Sequence, residues 1–224
     1  MGLSYNNVLV RLKEQRSSKS LSQNEMAQII HMTQSNYSKV ELALRRLSFN
    51  ELKYLCASPI DVYYIFTGRV SNNQCIDFLY SCNYSELSGY LNVIYAIILY
   101  YHKKDTSKQL KSILKRISYV PLIMQNDNSK NIFLILRHTM NCRQKKMAEE
   151  MGVDIKKFRD LEKGRCLPDS ELLWRLYDLF YIPPTVLLED KAGMISEIAT
   201  ILDAIDIDYR ESILNILKNI HKIK

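Results

Sequence analysis

Gln34, Ser35, Ser38 and Lys39 bring an amide, two hydroxyls and an ammonium into one short stretch of the chain. Such groups donate and accept hydrogen bonds or carry charge, and none of them is a nucleophile beside a base. The chemistry on offer is recognition, and no catalytic set competes with it. There is no Gly-rich phosphate loop, and no Ser/His/Asp or Cys/His arrangement with a local signature. The four histidines (His31, His102, His138, His221) stand at no ligand spacing to one another or to cysteine. No enzyme activity, metal or cofactor is therefore expected.

The elements that must present these groups follow from the apolar residues between them. Met26, Ala27, Ile30, Tyr37 and Val40 fall on the inner faces of two short helices, which leaves Gln34, Ser35, Ser38 and Lys39 on the outer face and at the start of the second. Ser22 with Glu25 three residues on is a capping-box pattern for the first, and Thr33 can cap the second. Ala27 is small where two helices would cross closely.

The same pattern recurs 121 residues later without a gap. Ser22-Gln23-Asn24-Glu25-Met26-Ala27, then Tyr37, Val40 and Glu41, is matched by Arg143-Gln144-Lys145-Lys146-Met147-Ala148, then Phe158, Leu161 and Glu162. Arg16 likewise matches Arg137, and Leu52 and Leu55 match Leu173 and Leu176. A fold-sized repeat divides the chain into residues 1–70, a middle block 71–130, a second copy 131–190 and a tail 191–224. Apolar residues at three and four, with few Gly or Pro and no convincing alternation, predict an all-α protein.

Net charge is +7, and its distribution is uneven. Residues 1–70 carry nine Lys/Arg against five Asp/Glu and residues 71–130 seven against four, whereas 131–190 and 191–224 each balance. A basic N-terminal half suits a polyanionic partner, and equally a chain that is merely kept soluble. The five cysteines are scattered and form no CxxC pair, as expected of reduced thiols. No cleavable signal opens the chain, and the apolar run Leu91–Tyr101 is too short to cross a bilayer, so a cytoplasmic protein without a membrane partner is expected.

The Gln-x-x-Met-Ala segment, the following Thr-Gln-Ser-x-Tyr-Ser-Lys-x-Glu and the closing Phe-Thr-Gly at 66–68 resemble the Cro/repressor-like helix-turn-helix family of transcriptional regulators. The resemblance covers residues 6–69 and 131–189. It implies two five-helix modules joined by a helical middle block and followed by a helical tail, with double-stranded DNA as partner. The helix starting at Gln34 would read bases with Gln34, Ser35, Ser38 and Lys39. Gln34 suits adenine and Lys39 guanine. Gln23, Thr33, Asn36, Arg45 and Arg46 would contact the DNA backbone. The pairs Arg16–Glu41 and Arg137–Glu162 would be structural ion pairs. His31 stands where the family usually has a glycine, whereas the second copy keeps Gly152.

The second copy keeps the scaffold and changes the outer face. Gln144, Lys156, Lys157, Arg159 and Arg165 make a second candidate DNA site, but Ile155 replaces Gln34 and Asp160 replaces Lys39. Tyr84, Tyr90, Tyr95, Tyr100 and Tyr101 form a packing stripe on a long helix, and the middle block is also a candidate surface for a protein or peptide partner. The apolar stripe Ile213–Ile220 lacks later chain to cover it, which suggests docking on the block before it or on a second subunit, and a homodimer is favoured. The alternative to a DNA-reading regulator is a protein-interaction or antitoxin-like module in which DNA contact is secondary.

Overall fold

Helices form wherever the sequence supplies a start signal ahead of an apolar stripe. The computed structural model describes residues 4–70, 76–103, 107–124 (side chains to Leu122) and 131–223, and these are helical with no strand. The first copy comprises α1 (Tyr5–Ser18), α2 (Gln23–Ile29), α3 (Gln34–Glu41), α4 (Phe49–Cys56) and α5 (Val62–Thr67). A single 3₁₀ turn at Asp77–Ser81 leads to α6 (Tyr84–His102), α7 (Lys108–Arg116) and α8 (Val120–Met124). The second copy holds α9 (Ile132–Thr139), α10 (Gln144–Glu150), α11 (Ile155–Glu162), α12 (Ser170–Phe180) and α13 (Pro184–Leu188), and α14 (Lys191–Asp203) and α15 (Ile207–Lys222) follow.

Capping boxes open α2 at Ser22 with Glu25, α4 at Ser48 with Glu51 and α6 at Asn83 with Glu86. Each satisfies orphan backbone N–H groups at a helix start. Gly68 ends α5 at φ 68°, as its place after Phe66-Thr67 predicts.

The sequence repeat is also a backbone repeat. α10 and α11 start and stop 121 residues after α2 and α3, and α12 starts 121 after α4. Ser20 and Asn141, His31 and Gly152, Ala43 and Gly164, and Gly68 and Glu189 are matched pairs, and all adopt positive φ. Left-handed backbone recurs at the same four joints, whatever residue occupies each, and the copies differ at the end of α12, where Tyr181 adds a left-handed joint that Ile60 lacks. His31 at φ 56° therefore keeps the turn that a glycine would make, and packs its ring on Tyr54 at 4.3 Å.

All four sequence blocks share one apolar core. α14 lies within it: Met194, Ile195, Ile198, Ala199, Ile201 and Leu202 are at most 2% exposed, against α5 and α6. Its approach to α13 is so close that a Cβ on Gly193 would fall 2.1 Å from Thr185 Cγ2. Of the two covers expected for the tail, the chain before it supplies one. Ile213, Leu214 and Leu217 of α15 are buried and α15 packs on α6, whereas Ile216 and Ile220 stay exposed. The tyrosine stripe behaves as packing, with Tyr90 buried and Tyr84 donating to the Val186 carbonyl, although Tyr100 is exposed.

A polar cluster that the sequence did not announce pins three blocks together. Glu197 of α14 accepts from Tyr63 (2.6 Å), from Arg116 (3.0 Å) and from Tyr119 (3.3 Å), and Arg116 also bonds Thr200. Glu197 is 1% exposed, and these donors supply the hydrogen bonds that burial takes from water.

Candidate nucleic-acid interface

Met26, Ala27, Ile30, Tyr37 and Val40 are at most 1% exposed and hold α2 against α3. Thr33 caps α3 by accepting from the Asn36 amide. With that face buried, Gln34, Ser35 and Lys39 are exposed and Ser38 is half-exposed, so the four candidate readers share one open side. Thr33 is exposed beside them, and Asn36 is partly covered.

A chain of hydrogen bonds runs from this open face to the scaffold. Gln34 Nε2 donates to Gln23 Oε1 at 2.9 Å, and Gln23 Nε2 donates to Glu41 Oε2 at 2.8 Å. Glu41 in turn accepts from Arg16 Nε at 2.7 Å, and Arg16 reaches the Leu21 carbonyl at 2.7 Å. Arg16 and Glu41 are 13% and 5% exposed, consistent with a scaffold pair. Burial would raise the Glu41 carboxyl, but donation from Arg16 and Gln23 outweighs it and holds the group below its ordinary value. Burial and the neighbouring Glu41 push the Tyr37 phenol up.

The two expected backbone clamps are already engaged. Arg45 Nη2 bonds Glu51 at 2.6 Å and its Nη1 lies 3.3 Å from Met32 Sδ, which places it in the scaffold between α3 and α4. Arg46 pairs with Glu171 of the second copy, with about half of its side chain exposed. Arg45, expected on the DNA backbone, is paired with the carboxylate of the α4 capping box. Gln23, expected on phosphate, spends its amide between Glu41 and Gln34.

The second copy repeats the scaffold chain with different ends. Arg137 pairs with Glu162, and Gln144 donates to Glu162. Gln144 then accepts from Arg159 at 3.1 Å, where the first copy used Gln34. Ile155, at the Gln34 position, is 37% exposed and offers no hydrogen bond. Lys157 is drawn to Asp169 at 3.1 Å, Arg165 lies 3.8 Å from Asp160, and Lys156 is exposed.

The copies meet along a seam that the sequence also left unread. The Leu47 amide donates to Ser170 Oγ at 3.1 Å, the Ser170 amide donates to the Leu47 carbonyl at 2.9 Å, and Tyr5 Oη lies 2.6 Å from Ser170 Oγ. Only the 121-residue register could have hinted at it, since Ser170 matches Phe49.

Among the described residues no group of His, Cys, Asp and Glu could hold a metal ion, and no helix is long and apolar enough to cross a membrane. Cys56, Cys82, Cys142 and Cys166 are free thiols, and Cys75 lies outside the described residues. Comparison of the chain with protein-family models, curated proteins and solved structures gave no match.

Proposed function

We propose that this chain is a sequence-specific DNA-binding transcriptional regulator of the Cro/repressor-like kind, reading the major groove with α3. In this reading residues 1–70 and 131–190 are two helix-turn-helix modules, joined by the helical block 71–130. The observation that carries it is the Gln34–Gln23–Glu41–Arg16 chain. It anchors an exposed amide at the start of α3 to a buried ion pair, in a form suited to a base edge. An amide held at one end loses less freedom on docking than one that swings in solvent, and a bidentate Gln contact to adenine discriminates by about 1–3 kcal/mol.

The mechanism would be occupancy of a promoter, with no bond made or broken. Selection from a random duplex pool tests it. A regulator of this kind enriches a defined site, with affinity that falls steeply as salt rises. Failure to retain any duplex at low salt would leave protein–protein interaction as the role of these surfaces.

A further inference from the structure

The two copies contact each other reciprocally. Ser170 sits against Leu47, and its counterpart Phe49 lines a cleft of about 260 Å³ with Pro168, the counterpart of Leu47. At the level of helices α4 packs on α13 and α5 packs on α12, which is the same contact taken twice with the copies exchanged. Such reciprocity is the hallmark of a two-fold, isologous interface, here made within one chain. The seam is built from segments that follow α3 and α11 in the chain.

The faces of those helices have opposite chemistry. Lys145, Lys146, Lys156, Arg159, Lys163 and Arg165 are all exposed, and their counterparts are Asn24, Glu25, Ser35, Ser38, Leu42 and Leu44. Lys145, Lys146, Lys156 and Lys163 have no ion pair among the described residues. The hydrogen-bonding readers Gln34 and Lys39 have become Ile155 and Asp160. Glu162, Asp169 and Glu171 are held in scaffold pairs, whereas Glu149, Glu150 and Asp154 are exposed in the same segment as these bases and Asp160 lies 3.8 Å from Arg165.

We infer that one chain acts as a built-in, asymmetric pair on a single DNA duplex: the first copy selects bases, and the second grips phosphates without regard to sequence. This rests on the DNA-reading role proposed above. Phosphate contacts give affinity and register without carrying sequence information; Ile155 is neutral to that role, and Asp160, 3.8 Å from Arg165, is an acid that the surrounding bases must outweigh. Because the seam already joins the copies, the second needs no partner chain to hold the first on its site, and binding gains the advantage of linked modules.

The test uses the full chain, its selected duplex, and Lys145→Gln/Lys156→Gln/Lys163→Gln beside Gln34→Ala, all checked by thermal melting. The expected complex by light scattering is one chain per duplex. The expected site has one sequence-selected half and, about one helical turn away, a half that must be double-stranded but tolerates any sequence. The triple variant should melt like wild type, keep the selected bases and lose up to about three from the log–log salt slope. Two chains on a palindromic site, or an unchanged slope in the triple variant, would overturn the inference while leaving α3 as a reader. Absence of any duplex binding by the wild-type chain would instead remove the DNA-reading role itself.

Discussion

Gln34 and Gln23 are hydrogen-bonded through their side-chain amides, Nε2 of the first to Oε1 of the second at 2.9 Å, although they belong to different helices. Because Gln23 also donates to Glu41, the orientation of the outermost amide is set by a carboxylate inside the module. Gln34→Ala and Gln23→Ala should therefore relax preference at the same base pair, by about 1–3 kcal/mol for the direct contact and less for the supporting one. Competition with single-base variants of the selected site measures this. Equal weakening on every sequence by Gln34→Ala would remove Gln34 from base reading.

Arg16→Ala should lower stability by about 3–5 kcal/mol with little change in base preference, because it strands the nearly buried Glu41 carboxylate. Urea denaturation followed by circular dichroism reads the loss. Normal stability with altered specificity would show that Arg16 faces DNA.

The same pair makes a statement about pH. The Glu41 carboxyl is held below its ordinary value in the fold, so its contribution to stability is present above the unfolded carboxylate pKa and is lost as pH falls through the folded one. Denaturation midpoints measured between neutral pH and pH 3 should decline, and Glu41→Gln should decline less steeply. Parallel curves for the two proteins would count against the linkage.

Ala43→Gly should stabilise the protein. Alanine at φ 60° carries a left-handed penalty of roughly 1–2 kcal/mol, offset by about 0.4–1 kcal/mol of added unfolded-state entropy when glycine replaces it. The net gain expected is a few tenths to about 1 kcal/mol, with unchanged denaturant m-value. His31→Gly should gain less, because it also removes the ring contact with Tyr54. A loss of stability in Ala43→Gly would mean that the loop is held by contacts of its methyl.

Arg116→Ala should cost about 3–5 kcal/mol by removing the ion-pair partner of Glu197 in the core, whereas Arg116→Met with Glu197→Leu should recover much of it. Thermal melts of the single and double variants distinguish the two. If Arg116→Ala were harmless, water would have to reach Glu197 in place of the guanidinium.

Much of the fold was legible because its signals are local. Ser22 with Glu25, Thr33, and Phe66-Thr67-Gly68 each specify a helix end within a few residues, and the inner faces of α2 and α3 follow from spacing alone. The candidate readers were legible as what remained outside. Pairings across long separations were not. Arg46 reads as a free base until Glu171 stands opposite it, and Glu197 reads as a surface acid on a tail helix until Tyr63 and Arg116 converge on it. The stripe of α15 looked uncovered because periodicity names a face to be buried but not the element that buries it.

The bond between Tyr63 and Glu197 spans 134 residues and closes only when α14 is in place. On a ribosome adding about 5–20 residues per second, Glu197 emerges roughly 7–27 seconds after Tyr63. Throughout that interval α5 can pack on α1 and α4 of its own copy but lacks α14, so the buried hydroxyl of Tyr63 waits for its carboxylate partner until that later helix is made.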